Sequence, residues 1–155
     1  MDITIADFVQ ELWNSLIPKD TAPGNPHSVT MPDGLLHYGH AKGWLEDQDE
    51  VNCKNSLDKR TAARILHQFL KIELGRPDIP DITPAKTLQD LYTCRVCANH
   101  IAQIYVQGFM DAEEVELNGR TALIFNNLKP VSRKEAAEII EKASCKKFYS
   151  RRPKV

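Results

Sequence analysis

Two stretches of this chain open a helix in the same way, and that duplication limits what it can fold into. In "VSRKEAA", Val131 to Ala137, Ser132 is placed to be an N-cap, and Glu135 stands three residues on, where its carboxylate reaches back to the Ser132 N–H. In "LDKRTAA", Leu57 to Ala63, Asp58 takes the cap position. Leu57 aligns with Val131, Lys59 with Arg133, Ala62-Ala63 with Ala136-Ala137, and Ile65-Leu66 with Ile139-Ile140. Upstream of each start, an apolar helical stretch ends in a glycine followed by two large apolar residues, Gly43-Trp44-Leu45 and Gly108-Phe109-Met110, and then an acidic loop. The pattern predicts two helix-loop-helix units, residues 35–75 and 87–144. Neither can bury its apolar stripe alone, so each needs the other.

The remaining elements fit around that pair. Ile5, Phe8, Val9, Leu12, Trp13 and Leu16 recur at helical spacing, which predicts an N-terminal helix over residues 3–17, stopped by Pro18. Residues 18–34 and 76–86 are rich in proline and read as connections. In the first unit, a short helix over 35–42 ends at Gly43, and a polar loop leads to the Asp58-capped helix, which runs to Gly75. In the second, one continuous helix over about 87–107 carries Leu88, Leu91, Cys94, Val96, Cys97, Ile101, Ile104 and Tyr105 on its apolar positions. Asn118-Gly119 lies inside "VELNGRTALIF", which suits a small hairpin around 115–125. Residues 145–155 form a basic tail. The expected fold is mostly α, one domain over 1–155, with the two units packed on the N-terminal helix.

Composition narrows the function classes. A chain of 155 residues with 42% apolar and 26% charged residues can bury a core unaided. Its net charge of -1 gives no overall field for nucleic acid or an anionic membrane, and no apolar run approaches a membrane span. The start "MDITIADFVQELW" lacks a basic n-region and is interrupted by Asp2, Asp7 and Glu11, unlike a secretory signal. The compartment expected of the sequence as written is the cytoplasm, or the cell surface if an export signal has been removed. Cys53, Cys94, Cys97 and Cys145 are then expected as reduced thiols.

The duplicated starts and the glycine-led turns resemble the S-layer homology family. Its repeats join a helix, a Gly-aromatic or Gly-aliphatic turn, a loop, and a second helix opened by an Ile-Thr-Arg-Ala-Glu-like motif. Ser132, Arg133 and Glu135 are a fair match to the Thr, Arg and Glu of that motif. In "LDKRTAA" Lys59 replaces the arginine and Thr61 the glutamate. The resemblance covers about residues 35–144. It implies a prism of helices whose motif cations hold an anionic cell-wall polysaccharide in grooves between repeats. The sequence departs from the family in having two recognisable repeats rather than three, no export signal, and four cysteines. The N-terminal helix could stand in for part of a third repeat.

Candidate ligand-binding residues follow. Lys59 and Arg133 sit beside helix N-termini, where a cation and exposed N–H groups suit a carboxylate, with Asp58, Ser132 and Glu135 shaping those starts. Trp44 offers either a stacking face for a sugar or an anchor between helices. Cys94, Cys97 and His100 share a helix face, and His37 and His40 form a second pair; together they supply enough N/S donors for zinc, or they are ordinary buried and half-exposed side chains. Cys94-Arg95-Val96-Cys97 also has the spacing of a thiol-redox motif. Asp47 and Asp49 occupy the first positions of a calcium-like loop that lacks its glycine and its closing glutamate. No nucleophile-elbow, phosphate-loop or HExxH motif is present. The expected function is a non-enzymatic binding module for an acidic glycan, with no cofactor, metal, nucleic acid or membrane partner. Two alternatives stand beside it: a protein-interaction module on the same fold, and a metal-binding or thiol-redox protein.

Overall fold

A computed structural model of the chain describes residues 2–17 and 32–144. Among the described residues the fold is mostly helical, with one small antiparallel sheet. In order the elements are α1 (Ile5–Leu16), α2 (Pro32–Lys42), α3 (Asp47–Val51), α4 (Lys59–Gln68), α5 (Arg95–Val106), β1 (Glu113–Leu117), β2 (Arg120–Ile124) and α6 (Arg133–Ser144). The basic tail and Cys145 lie outside the described residues, as does most of the 18–34 connection.

Three helices begin alike. Thr4, Asp58 and Ser132 are the N-caps of α1, α4 and α6, and each side-chain oxygen accepts a hydrogen bond from the backbone N–H three residues on: Asp7 (3.1 Å), Thr61 (2.9 Å) and Glu135 (3.1 Å). The residues before the caps, Ile3, Leu57 and Val131, are fully buried. Their backbones close a ring: Ile3 N–H donates to Val131 C=O (3.1 Å), Val131 N–H to Leu57 C=O (2.8 Å), and Leu57 N–H to Ile3 C=O (2.9 Å). A second tier repeats the geometry. Ile5 N–H donates to Asn55 C=O (3.1 Å) and Lys59 N–H to Lys129 C=O (3.0 Å). Ala6 N–H donates to Cys53 C=O (2.8 Å) and Arg60 N–H to Asn127 C=O (2.9 Å). The first-turn donors of α1 and α4, which a helix cannot satisfy internally, are thus consumed by the chain arriving at the neighbouring start.

The core grows from this ring. Ile5, Phe8, Val9, Leu12 and Trp13 of α1, Ala62, Ile65 and Leu66 of α4, Ile101 and Ile104 of α5, and Ile139 and Ile140 of α6 are buried together, as the helical periodicity predicts. Phe69 and Leu70 join them from one π-helical turn, Phe69–Glu73, that extends α4. The chain then leaves the helix at Gly75, whose φ of +69° suits a helix end.

Two stretches differ from expectation. The polar loop after Trp44 contains a short helix, α3. Asp49 accepts a hydrogen bond from the Glu46 N–H (2.8 Å), which fixes the helix start, and takes a two-pronged contact from Arg64 of α4 (2.7 and 2.8 Å). The helix expected over 87–107 begins only at Arg95. Before it, residues 88–94 are drawn to the sheet: Gln89 N–H donates to Leu123 C=O (2.8 Å), and the Asp90 carboxylate accepts from the Phe125 and Asn126 N–H groups (2.7 and 2.8 Å). Those tertiary hydrogen bonds compete with a helical ladder and leave only a short 3₁₀ turn, Leu91–Thr93; a second, Thr83–Thr87, stands at the end of the preceding connection. The hairpin stands where Asn118-Gly119 places it, both turn residues at positive φ (53° and 78°), as a two-residue turn matched to strand twist requires.

Candidate functional site

A cavity of about 190 Å³ lies between α6, the chain that follows α5, and the start of α4; Lys59, Glu113, Lys129, Glu135, Glu138 and Lys142 line it together with apolar Phe109, Met110 and Ile139. Lys59 is the side chain that makes it unusual. Its stem is buried, its Nζ donates to the Asp111 carbonyl (2.9 Å), and the ammonium sits over the Phe125 ring, 4.3 Å from the centroid. Burial pulls its pKa below the ordinary lysine value, and Lys129 adds to that, while Glu113, Glu135 and Asp90 oppose it. Around it the opposite charges are already engaged. Glu113 accepts from Lys129 and from the Asn126 side chain, and those two bonds hold its carboxyl below the usual range. Lys142 lies 3.7 Å from Asp111.

The six residues singled out by sequence are not brought to one place. Lys59 and Glu135 line the cavity. Asp58 and Ser132 act at their helix starts as caps, and the Ser132 N–H also donates to Glu135 (3.3 Å), so the box is reciprocal. Arg133 faces elsewhere, paired with Asp7 of α1 at 2.7 Å, both side chains half-exposed. Trp44 is fully buried: its Nε1 donates to Glu73 (3.1 Å) and its ring meets Phe69 edge-on at 4.9 Å. It presents no face for a sugar, and the anchoring reading of this residue is the one its burial fits. Contrary to expectation, the helix N–H groups beside Lys59 are not open to cradle an anion: those of Lys59, Arg60 and Thr61 are bonded to Lys129, Asn127 and Asp58.

His40, His67 and His100 and the acidic loop after Trp44 have local partners. His40 lies between Asp47 and Glu50, 2.6 Å from each, and so ties α2 to α3. His100 does not join Cys94 and Cys97 in a ligand set. Its Nδ1 is 2.8 Å from His67 Nδ1, and His67 Nε2 is 2.6 Å from Asp78. Burial and the neighbouring His67 push His100 down to about 4. Among the described residues no group of three or more His, Cys, Asp or Glu side chains could hold a metal. Nor is any helix of the described residues long and apolar enough to cross a membrane.

Sequence reasoning missed two features. One is the third helix start, "ITIAD", Ile3 to Asp7; its signal was an apolar residue before a hydroxyl cap, with an acidic residue three positions on. The other is the position of the Cys94–Cys97 pair. Cys94 stands just before α5 as its N-cap and Cys97 in its first turn, and the two, expected as reduced thiols, are joined in a disulfide. No family model matches the chain, and neither does any curated protein.

Proposed function

We propose that this chain is a binding module of the S-layer-homology type, in which three helix starts close a ring and the ligand occupies the cavity beside the Lys59 start. The observation that carries the reading is the cyclic hydrogen bonding of Ile3, Leu57 and Val131, which supports treating α1, α4 and α6 as equivalents. On this reading α1 is the second half of a third unit, and the two units read from sequence supply the rest.

The charge balance of the cavity favours a polypeptide over a polyanion. Three lysines there face Asp111, Glu113, Glu135 and Glu138, and Arg133 is committed to Asp7. A ligand with both signs of charge and an apolar group for Phe109 and Met110 is complemented by such walls. Peptides selected from a display library against the full chain are expected to lose binding when Ala112→Trp fills the cavity, while far-UV circular dichroism stays unchanged. Selected peptides that bind both proteins equally would sink this placement.

An acidic glycan is the second reading. The specific observation in its favour is Lys59, whose ammonium has three donors and one carbonyl partner. Co-sedimentation with purified Gram-positive walls separates the two. The polypeptide reading expects the protein in the supernatant, whereas pelleting that Lys59→Met abolishes would establish the glycan.

A further inference from the structure

We propose that Cys94 and Cys97 form a thiol–disulfide exchange site that acts on a dithiol or disulfide of a partner polypeptide. This goes beyond the cavity at Lys59 and does not depend on it. The two sulfurs are bonded to each other, but they are not equivalent. Cys97 is buried in the first turn of α5, whereas Cys94 is half-buried and caps the helix. The Cys94 side chain gives that first turn no hydrogen bond. A thiolate released there meets the positive end of a twelve-residue helix, which favours the charged form.

The surroundings of Cys94 are those of a contact surface. It lines an open cavity of about 320 Å³ with Arg60, Asp90, Asn127 and Leu128. Both Asp90 oxygens are bonded to backbone N–H groups of Phe125 and Asn126, so this carboxylate is held in place while Arg60 supplies a cation. Asn127 is buried in the same wall; its amide nitrogen donates to Thr93 (2.9 Å) and its Oδ1 has no hydrogen-bond partner. Large apolar side chains stand exposed around the pair: Val96 is 85% exposed, Leu128 64% and Tyr92 61%. Apolar groups left in water beside a cavity that holds a reactive sulfur suit an apolar-flanked cysteine of another chain.

The exchange balances without a further reagent. A partner thiolate attacks Cys94 Sγ and the Cys94–Cys97 bond breaks. The electron pair leaves on Cys97 Sγ, which takes up a proton. The mixed disulfide at Cys94 is then attacked at the partner's sulfur by the partner's second thiolate, which releases Cys94 as a thiolate. The partner dithiol has become a disulfide and the pair on α5 a dithiol. A partner disulfide runs the same steps backwards.

The test uses the full chain equilibrated in glutathione redox buffers, then alkylated and digested with trypsin. Cleavage after Arg95 puts the two cysteines on separate peptides. The pair is expected to interconvert reversibly with helicity retained, and reduced Cys94 to alkylate about tenfold faster than Cys53, as a thiolate-rich position should. Cys97→Ser is expected to trap one glutathione at Cys94, and Cys94→Ser to trap far less at Cys97. A disulfide that stays oxidised in excess dithiothreitol until the chain unfolds is a structural staple and overturns the proposal. So does a Cys94 that alkylates no faster than Cys53, or equal trapping by the two variants.

Discussion

The starts of α1, α4 and α6 and the start of α5 solve the same problem in opposite ways. Every helix leaves its first N–H groups without internal partners. At the first three starts a cap side chain satisfies one donor, and at α1 and α4 the neighbouring backbone satisfies two more; the apolar residue before each cap is fully buried. At α5 the cap is Cys94, without a side-chain hydrogen bond, and the residues around it, Tyr92 and Val96, point large apolar groups into water. The closed starts hold the molecule together, and at α1 and α4 their first backbone donors are already used, so that a ligand there meets side chains such as Lys59 rather than a free helix end. The start that is not closed is the one with chemistry to spare. Position along a helix therefore says less about function than whether the fold has already used what that position provides.

If the ring is the structural centre, truncating it should hurt most. Leu57→Ala removes a fully buried side chain at the one point where all three starts meet, with little room for neighbours to close in. The expected loss is about 2–5 kcal/mol in urea unfolding. Val96→Ala, an equally apolar truncation on α5, is expected to change stability by less than about 0.5 kcal/mol because its side chain is already in water. Similar losses at the two positions would break the contrast.

The α5 side should instead be the part that acid loosens. His100 of α5 meets His67 of α4, which meets Asp78; Arg64 and Lys71 add positive charge nearby. His100 is held near 4 in the fold against 6.5 when free, so between those values the unfolded chain binds the proton that the folded chain refuses. Stability contributed by the neutral imidazole is present above 6.5 and is lost as pH falls toward 4. Asp78, held below its usual value, keeps its contribution until lower pH. The unfolding midpoint should fall across that window, with amide protection lost at α5 before α1 and α6. His100→Gln should flatten the fall; an unchanged slope in that variant would assign it to other groups.

The caps test whether the three closed starts are equivalents. Thr4→Ala, Asp58→Ala and Ser132→Ala each delete one accepted N–H, and each is expected to cost about 1 kcal/mol. A Thr4→Ala cost near zero in thermal unfolding would separate α1 from the other two and weaken the three-unit reading.

The three alike helix starts were only partly visible in the sequence. "VSRKEAA" and "LDKRTAA" announce themselves because cap, apolar neighbour and helix stripe are all local. The third start was harder to see because "ITIAD" has Ile5 where the others have Lys59 and Arg133, and nothing local reveals that Ile3 will bond Val131. The late start of α5 was hidden for the same reason. Leu88 and Leu91 fall in helical register, and it is the distant Leu123, Phe125 and Asn126 that take the backbone and the Asp90 side chain away from a helix. At the candidate site, the cations were legible but their occupation was not. Charge at Lys59 and Arg133 is written in the sequence, whereas the carbonyl of Asp111, the ring of Phe125 and the carboxylate of Asp7 reach them only through tertiary packing.

The smallest expected effect concerns the second of those cations. Arg133 and Asp7 join the α6 start to the α1 start across the surface, at 2.7 Å, with both side chains about half in water. Solvent screens such a pair, and ordering two side chains offsets part of the attraction. A double-mutant cycle of Arg133→Ala and Asp7→Ala is therefore expected to give a coupling of roughly 0.2–1 kcal/mol, shrinking as salt is raised. The number separates two uses of the same residue. An arginine reserved for an anionic ligand would show coupling near zero and would bind added acidic sugars more tightly once Asp7 is removed. A coupling in the expected range, with no gain in sugar binding by Asp7→Ala, makes Arg133 a clasp between neighbouring helix starts and leaves Lys59 as the cation that faces a ligand.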